Sequence, residues 1–386
     1  MPVATLVSYR LGGSDGVSVE SAKWARALRS LGYEVRTLAG AGSADRLVPE
    51  LTIDARSSPD RRELETALAG TDVVVAENIC SLPLNPAAGQ MVAECLRGRP
   101  AILHHHDLPW QRAHLSHHPP PPDDPAWRHV TINRLSRQEL AERGIESEVV
   151  YNTFDIDTPQ GRREDMREAM EVSPEDVLVL QPTRALPRKN VPGAVALAEA
   201  LGATYWLLGP AEDGYGPELE RLLRGARCPV RRGMPDGYTA DPGIPKDGAG
   251  GTEPWTVSDA YAAADVVALP STWEGFGNPA LESVVHRRLL AIGPYPVGKE
   301  LAQLGFEWFD ATDPGALAAW LARPDPGLFE RNLVIARRFF SISDLPARLA
   351  PLLESLHLPV LLGTSAASTG PPPGEDAHDA LTSTDK

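Results

Sequence analysis

Short apolar runs alternate with amphipathic stretches along the chain, the pattern of a parallel α/β sheet. In the first half the runs predict strands at Ala4–Tyr9, Glu34–Ala39, Val73–Glu77, Ala101–His105, Val130–Asn133 and Glu148–Asn152. Between the first two, Val17, Trp24, Leu28 and Leu31 recur at helical spacing, and Gly32 stops the helix. The pattern restarts with Val177–Gln181, Tyr205–Leu208, Val230–Arg232, Val266–Pro270 and Leu289–Ile292. Asp155–Ser173, polar and charged, reads as a hinge followed by a leading helix. Near the end, Phe339, Phe340, Leu349, Leu352 and Leu353 sit at helical spacing and need burial, at roughly 1.5–3 kcal/mol per large side chain. Ser343 or Asp344 is placed to cap the final helix before Pro346.

Three segments break the alternation. Pro235–Pro254 is rich in Gly, Pro and Asp and predicts a long surface loop. His117–Pro122 is a loop extended by its prolines. Thr364–Lys386, rich in Ser, Thr, Pro, Gly and Asp, predicts a disordered tail.

A length of 386 residues allows two domains, each with its own core. The net charge of -15 makes the chain a poor general binder of nucleic acid or anionic membrane. Any anion it holds therefore needs a local basic pocket. Cys80, Cys95 and Cys228 show neither metal-ligand spacing nor a disulfide framework, which fits a reducing, cytoplasmic compartment. Met1–Tyr9 has no basic leader or cleavage signal and reads as a first strand. No apolar stretch approaches the ~20 residues of a membrane helix.

The strongest chemical signal is Ser271–Glu282, STWEGFGNPALE, which follows the strand DVVALP. Asn278 is a suitable N-cap and Pro279 a suitable first helical residue. The turn Gly275-Phe276-Gly277 would bring backbone N–H groups and the helix dipole to bear on an anion. Glu274 in the loop and Glu282 in the first turn could bond hydroxyls of a ligand whose phosphates lie between them. The plain alternative is a strand–turn–helix unit whose acids cap and solvate. The second signal is Pro182–Asn190, PTRALPRKN, where Arg184, Arg188 and Lys189 concentrate positive charge at another strand end. Alone it would be a solvated basic loop; beside a helix N-terminus in the same domain it suggests a diphosphate site.

Arg184, then Lys189 five positions on, then Glu274 and Glu282 in a Glu-x7-Glu frame around EGFG, resemble the retaining glycosyltransferases of family 4. The likeness runs to about Leu356 and implies the GT-B fold: two Rossmann-like α/β domains facing a central cleft. On that pattern residues 1–154 form the acceptor-side domain and residues 155–327 the nucleotide-sugar domain. Residues 328–358 form helices that cross back to the first domain, and 364–386 the tail. The resemblance implies that Arg184 and Lys189 hold the donor diphosphate. It assigns Glu274 to the transferred sugar and Glu282 to the ribose hydroxyls, with backbone N–H groups around Phe276, Gly277 and Asn278 completing the cradle. It places Gly13 and Gly16, in the turn GGSDGV after the first strand, beneath the donor phosphates. Ser14 and Asp15 are extra residues in that turn.

His104-His105-His106-Asp107 ends the strand AIL. Three histidines suggest a metal, yet strand neighbours point to opposite faces, so His105 cannot easily join the other two. Zinc wants more ligands in secure geometry, and core or hydrogen-bonded histidines are the better reading. The resemblance supplies a third one, with His106 against the donor sugar and Asp107 and Arg112 on the acceptor side. Asp155-Ile156-Asp157 looks like an Asp-x-Asp metal motif, but its place after YNTF makes Asn152 and Asp155 structural hinge residues. After Glu282 the family's small residue and proline give way to His286, Arg287, Arg288 and Leu289. HHHDLPW and EGFGNPALE resemble the subgroup that mannosylates or glucosylates small compatible solutes such as glucosylglycerate.

The resemblance implies a hexose moving from a nucleoside-diphosphate sugar to an acceptor hydroxyl. Retention would come by front-face attack, without metal or other cofactor. Arg184, Lys189 and helix N–H groups would stabilise the departing diphosphate. Glu274 would orient and not attack. Three alternatives stand beside this: a retaining phosphorylase of the same fold, a non-catalytic nucleotide-sugar binder, and a nicotinamide-dependent dehydrogenase. The last lacks the G-x-G-x-x-G fingerprint and the acidic residue expected at the second strand end.

Overall fold

The computed structural model describes residues 1–13, 15–238 and 254–361. Most of the predicted loop Pro235–Pro254, the predicted tail Thr364–Lys386 and Ser14 lie outside the described residues. The first half builds β1 (Val3–Leu11), β2 (Glu34–Gly42), β3 (Arg46–Leu47), β4 (Val73–Glu77), β5 (Ala101–His105), β6 (Trp127–Thr131) and β7 (Ser147–Val149). All pair in parallel in the order β3-β2-β1-β4-β5-β6-β7. The second half builds β8 (Leu178–Gln181), β9 (Thr204–Leu207), β10 (Val230–Arg232), β11 (Val266–Leu269), β12 (Leu289–Ile292) and β13 (Phe309–Asp310). These are also parallel, in the order β10-β9-β8-β11-β12-β13.

The central strands are near-continuous apolar runs because helices cover both faces of each sheet. In β4 the side chains alternate. Val74 and Ala76 join a core with Val7, Leu38, Leu64 and Leu103. Val73 and Val75 join the opposite one with Leu6, Trp24, Leu28 and Ile102. Chain order reverses between β1 and β4 in the first sheet and between β8 and β11 in the second. Crevices beyond the carboxyl ends of strands at such reversals are where open α/β sheets take ligands.

Two predicted strands shift. β6 and β7 begin and end earlier than Val130–Asn133 and Glu148–Asn152. Asn133 is instead the N-cap of the helix Arg134–Ala141, and Asn152 lies beyond β7. The edge strands β3 and β13 are absent from the expectation, being two residues long and without periodicity.

The C-terminal helices divide between the two halves. The helix Gly327–Phe340 packs mainly on the second half, where Leu333, Ala336 and Phe340 join a core with Phe276 and Leu281, and its end meets Tyr151 and Phe154 from the end of the first half. Only the helix Leu345–Ser355 lies on the first sheet, through Leu345, Leu349, Leu352 and Leu353. The return expected from residue 328 therefore starts some seventeen residues later, because Phe340 is drawn into the aromatic cluster at the hinge. Asp344 occupies the N-cap position without a side-chain capping bond. The hinge carboxylates Asp155 and Asp157 are exposed, and Asp157 pairs with Arg337 at 2.8 Å. Among the described residues no helix is long and apolar enough to cross a membrane.

Candidate active site

The carboxyl ends of the two sheets meet across a cleft, and both chain-order reversals open onto it. The glycine turn after β1 and Glu77 at the end of β4 flank the first reversal. The loop Arg184–Lys189 after β8 and Glu274 after β11 flank the second. The walls touch directly. Asn133 Nδ2 donates to the carbonyl of Gly275 at 2.6 Å, and Asn152 Nδ2 donates to Asn278 Oδ1 at 2.9 Å. A Cβ on Gly275 would lie 2.7 Å from the carbonyl oxygen of His106, so only glycine fits this approach. Glu300 reaches across as well, accepting from the backbone N–H of Arg134 at 2.9 Å and from the Tyr151 hydroxyl at 2.7 Å.

On the second wall, Glu274 is buried and accepts from Lys189 Nζ at 2.5 Å, Ser271 Oγ at 2.6 Å and Arg188 at 3.1 Å. Burial pushes its carboxyl up, but the charges of Lys189 and Arg188 override this and hold it below the ordinary range. Lys189 is lowered by burial, against the pull of Glu274. Arg184 does not join this cluster and pairs with Glu212 at 2.6 Å. Arg188 thus stands beside Lys189 and Glu274, while Arg184, expected with Lys189 at the donor diphosphate, is paired with Glu212.

The predicted turn Gly275-Phe276-Gly277 forms with one change of register. Gly277, with φ of 91°, is the N-cap and Asn278 the first helical residue of Asn278–Val285. Asn278 is therefore not the cap, and its side chain is free to meet Asn152 and to lie 3.9 Å from a Cβ placed on Gly16. The backbone N–H groups of Phe276 and Gly277 find no acceptor among the described residues. The Phe276 ring points away into the aromatic cluster with Tyr151, Phe154 and Phe340. Glu282 falls in the second helical turn, not the first, and accepts from the Tyr261 hydroxyl at 2.5 Å. Burial raises its carboxyl above the ordinary value. Gly13 packs near Asp15, which caps the first helix, Gly16–Ser30, by accepting from Ser18.

On the first wall, His105 points away from His104 and His106, as strand alternation requires, and hydrogen-bonds Ser81 and His129. His104 Nδ1 and His106 Nε2 both meet Glu77 Oε2 at 2.9 Å. Trp24 stacks on His104 with ring centroids 4.2 Å apart. Asn78, in the left-handed region with φ of 61°, accepts through Oδ1 from the backbone N–H of His106 and Asp107. Asp107 pairs with Arg112 at 2.9 Å. One ligand atom each from Glu77, His104 and His106 lies within 4.8 Å of the others, a spacing a metal could use. Hydrogen bonds from two imidazoles to one carboxylate oxygen account for the same geometry. Glu77, Asn78 and Asn133 escaped the sequence reading because each is a single residue at an element's end, and Glu300 because it is a lone acid within the short helix Pro296–Ala302. The one available signal was an acid closing the otherwise apolar strand VVVAE.

No protein-family profile matches the chain. It is 28% identical to the mannosylglucosylglycerate synthase of Thermotoga maritima, over 88% of this chain and 97% of that one. It is 27% identical to the protein of the same name from Petrotoga mobilis, over 78% of this chain and 85% of that one. The structure of Anabaena HepE in complex with UDP and glucose superposes with a TM-score of 0.68 at 17% identity. That match covers 92% of this chain and all of HepE. The fold is GT-B, and the resemblance to family 4 glycosyltransferases extends to the mannosylglucosylglycerate synthase subgroup.

Proposed function

We propose that the protein is a retaining glycosyltransferase. It moves a hexose, mannose or glucose, from a nucleoside-diphosphate sugar to a hydroxyl of a small or saccharide acceptor. One observation carries this reading. A buried carboxylate, Glu274, is clamped by Lys189 and Arg188 beside backbone N–H groups at a helix start that find no acceptor among the described residues, and a histidine of the other domain stands across the cleft. The names of the two bacterial relatives make glucosylglycerate the first acceptor to try.

On this reading the bond between the anomeric carbon and the β-phosphate oxygen breaks, and its electron pair leaves with the diphosphate. Lys189, Arg188 and the N–H groups of Phe276 and Gly277 offset that charge, with Arg184 at the outer edge. The acceptor oxygen bonds to the anomeric carbon from the same face and passes its proton to the departing phosphate oxygen. Glu274 accepts hydroxyls of the sugar and orients it. Glu282 takes the ribose hydroxyls, and Asp107 with Arg112 faces the acceptor. No step calls for a metal. The compartment is the cytoplasm, where Cys80, Cys95 and Cys228 stay unpaired, as they are here.

The test mixes enzyme, glucosylglycerate and a panel of uridine, guanosine and adenosine diphosphate sugars, and follows nucleotide release and the anomeric proton of the product by NMR. The expected product keeps the donor's anomeric configuration, and chelator leaves the rate unchanged. An inverted product, or loss of activity in chelator restored by one divalent ion, would overturn the mechanism. Turnover of a disaccharide by inorganic phosphate alone would replace it with a phosphorylase.

A further inference from the structure

Glu77 is fully buried at the end of β4, and its position is over-determined. The next residue, Asn78, receives the N–H groups of His106 and Asp107 on its side chain and donates its own N–H to the carbonyl of His104. The ends of β4 and β5 are thereby locked together. The Glu77 carboxylate then has one place to go, between His104 Nδ1 and His106 Nε2. Its second oxygen, Oε1, is buried and without a partner among the described residues.

A buried carboxylate needs a compensating positive charge or it takes up a proton. Burial pushes Glu77 up, but His104 and His106 override this and bring it down to about 2. Of the two imidazoles, His104 is driven down by burial and packed under Trp24, while His106 is raised, its burial being outweighed only by the bond and charge of Glu77 together with the charges of Glu20 and Asp107. Glu20 from the first helix and the neighbouring Asp107 add to the negative field at His106, with His104 on the same strand opposing them. The Lys23 ammonium, paired with Glu20 at 2.5 Å, offsets part of that field. The positive charge of the group therefore belongs on His106.

The consequence lies at the other end of the ring. His106 Nε2 is spent on Glu77, and Nδ1 has no partner among the described residues. A neutral imidazole donating through Nε2 would present a lone pair at Nδ1, whereas an imidazolium presents an N–H. We propose that Glu77 is a positioning residue. Through Nε2 it fixes the His106 ring so that Nδ1 offers an N–H to an oxygen acceptor, a hydroxyl or ring oxygen of the transferred sugar. The assignment of that oxygen to a sugar rests on the glycosyltransferase reading; the state of the ring does not.

The test has two arms. In the first, long-range nitrogen–proton correlation spectra of the histidine-labelled protein report ring protonation, with His106 assigned by its loss in His106→Asn. At pH 7 both His106 nitrogens should carry protons in the wild type. Glu77→Gln, which keeps size and can still accept from Nε2, should turn the ring neutral, while the melting curve confirms the fold. An Nδ1 lone pair in the wild type, or an imidazolium that survives Glu77→Gln, would overturn the proposal. So would a stoichiometric divalent ion bound by the wild type and lost in the variant. In the second arm, kcat should fall about 100-fold in Glu77→Gln, the lower end of what a positioned proton donor contributes. The alkaline limb of the wild-type kcat/KM profile should move to lower pH, and KM for the donor should change little. A KM effect with an unshifted limb refutes the positioning role. If no sugar nucleotide is turned over while the spectra behave as expected, the ring state stands and the glycosyltransferase reading falls.

Discussion

Each wall of the cleft is organised around a buried carboxylate, but the two are neutralised differently. Glu274 on the second wall is paired with a lysine and an arginine, Lys189 and Arg188, residue types that ordinarily keep their charge near neutral pH. Glu77 on the first wall is paired with two histidines, whose charge is conditional. A site that must hold a diphosphate needs the first kind of partner, because the ligand's charge does not vary either. A site that must present a donor to a sugar oxygen can use the second kind. Glu282 makes a third case. Among the described residues no cation pairs with it directly; it takes a hydroxyl from Tyr261, and burial raises it in spite of the charges of Lys23 and Lys189. Such a group suits neutral hydroxyls.

The largest break in this comparison is expected from Glu274→Ala. It leaves Lys189 buried without its partner, at a cost of about 3 kcal/mol in the ligand-free protein. It should also lower kcat by roughly 10²–10³-fold. Thermal melts with and without sugar diphosphate check the first effect, since an anion bound at Lys189 should return part of the lost stability. Wild-type kinetics in this variant would remove Glu274 from the site. The pH dependence has a fixed sign. Glu274 and Glu77 are both lower in the folded protein than their ordinary value of 4.5. Their contributions are therefore complete above that value. They are lost as pH falls through the folded values, about 2 for Glu77.

Glu282→Ala should have the smallest effect. Losing hydrogen bonds to neutral hydroxyls should raise the donor KM about tenfold, some 1.4 kcal/mol, with kcat nearly unchanged. A kcat loss as large as that of Glu274→Ala would erase the distinction between the two acids.

The architecture was legible because buried parallel strands are unbroken apolar runs; Val73–Glu77, Ala101–His105, Val230–Arg232 and Leu289–Ile292 match residue for residue. Edge strands β3 and β13 left no such trace. The second wall was legible in part. Glu274 and Lys189 lie in contact though 85 residues apart, and their motifs announced them. Which arginine joins them depends on the turn Pro187–Lys189, whose geometry no spacing rule supplies. The first wall was mostly hidden. His106 stood out in a run of three histidines, but its partner Glu77 is 29 residues upstream and pairs through β4–β5 register alone.

Glu300 makes the cleft something other than two surfaces at rest. Its carboxylate, carried by the helix Pro296–Ala302, receives the first N–H groups of Arg134–Ala141, a helix of the opposite domain. Asn133, which starts that helix, also grips the carbonyl of Gly275. Parting the domains thus strips a helix of one of its end ligands, a loss of about 1 kcal/mol. Any opening of the cleft would therefore be coupled to fraying of that first turn.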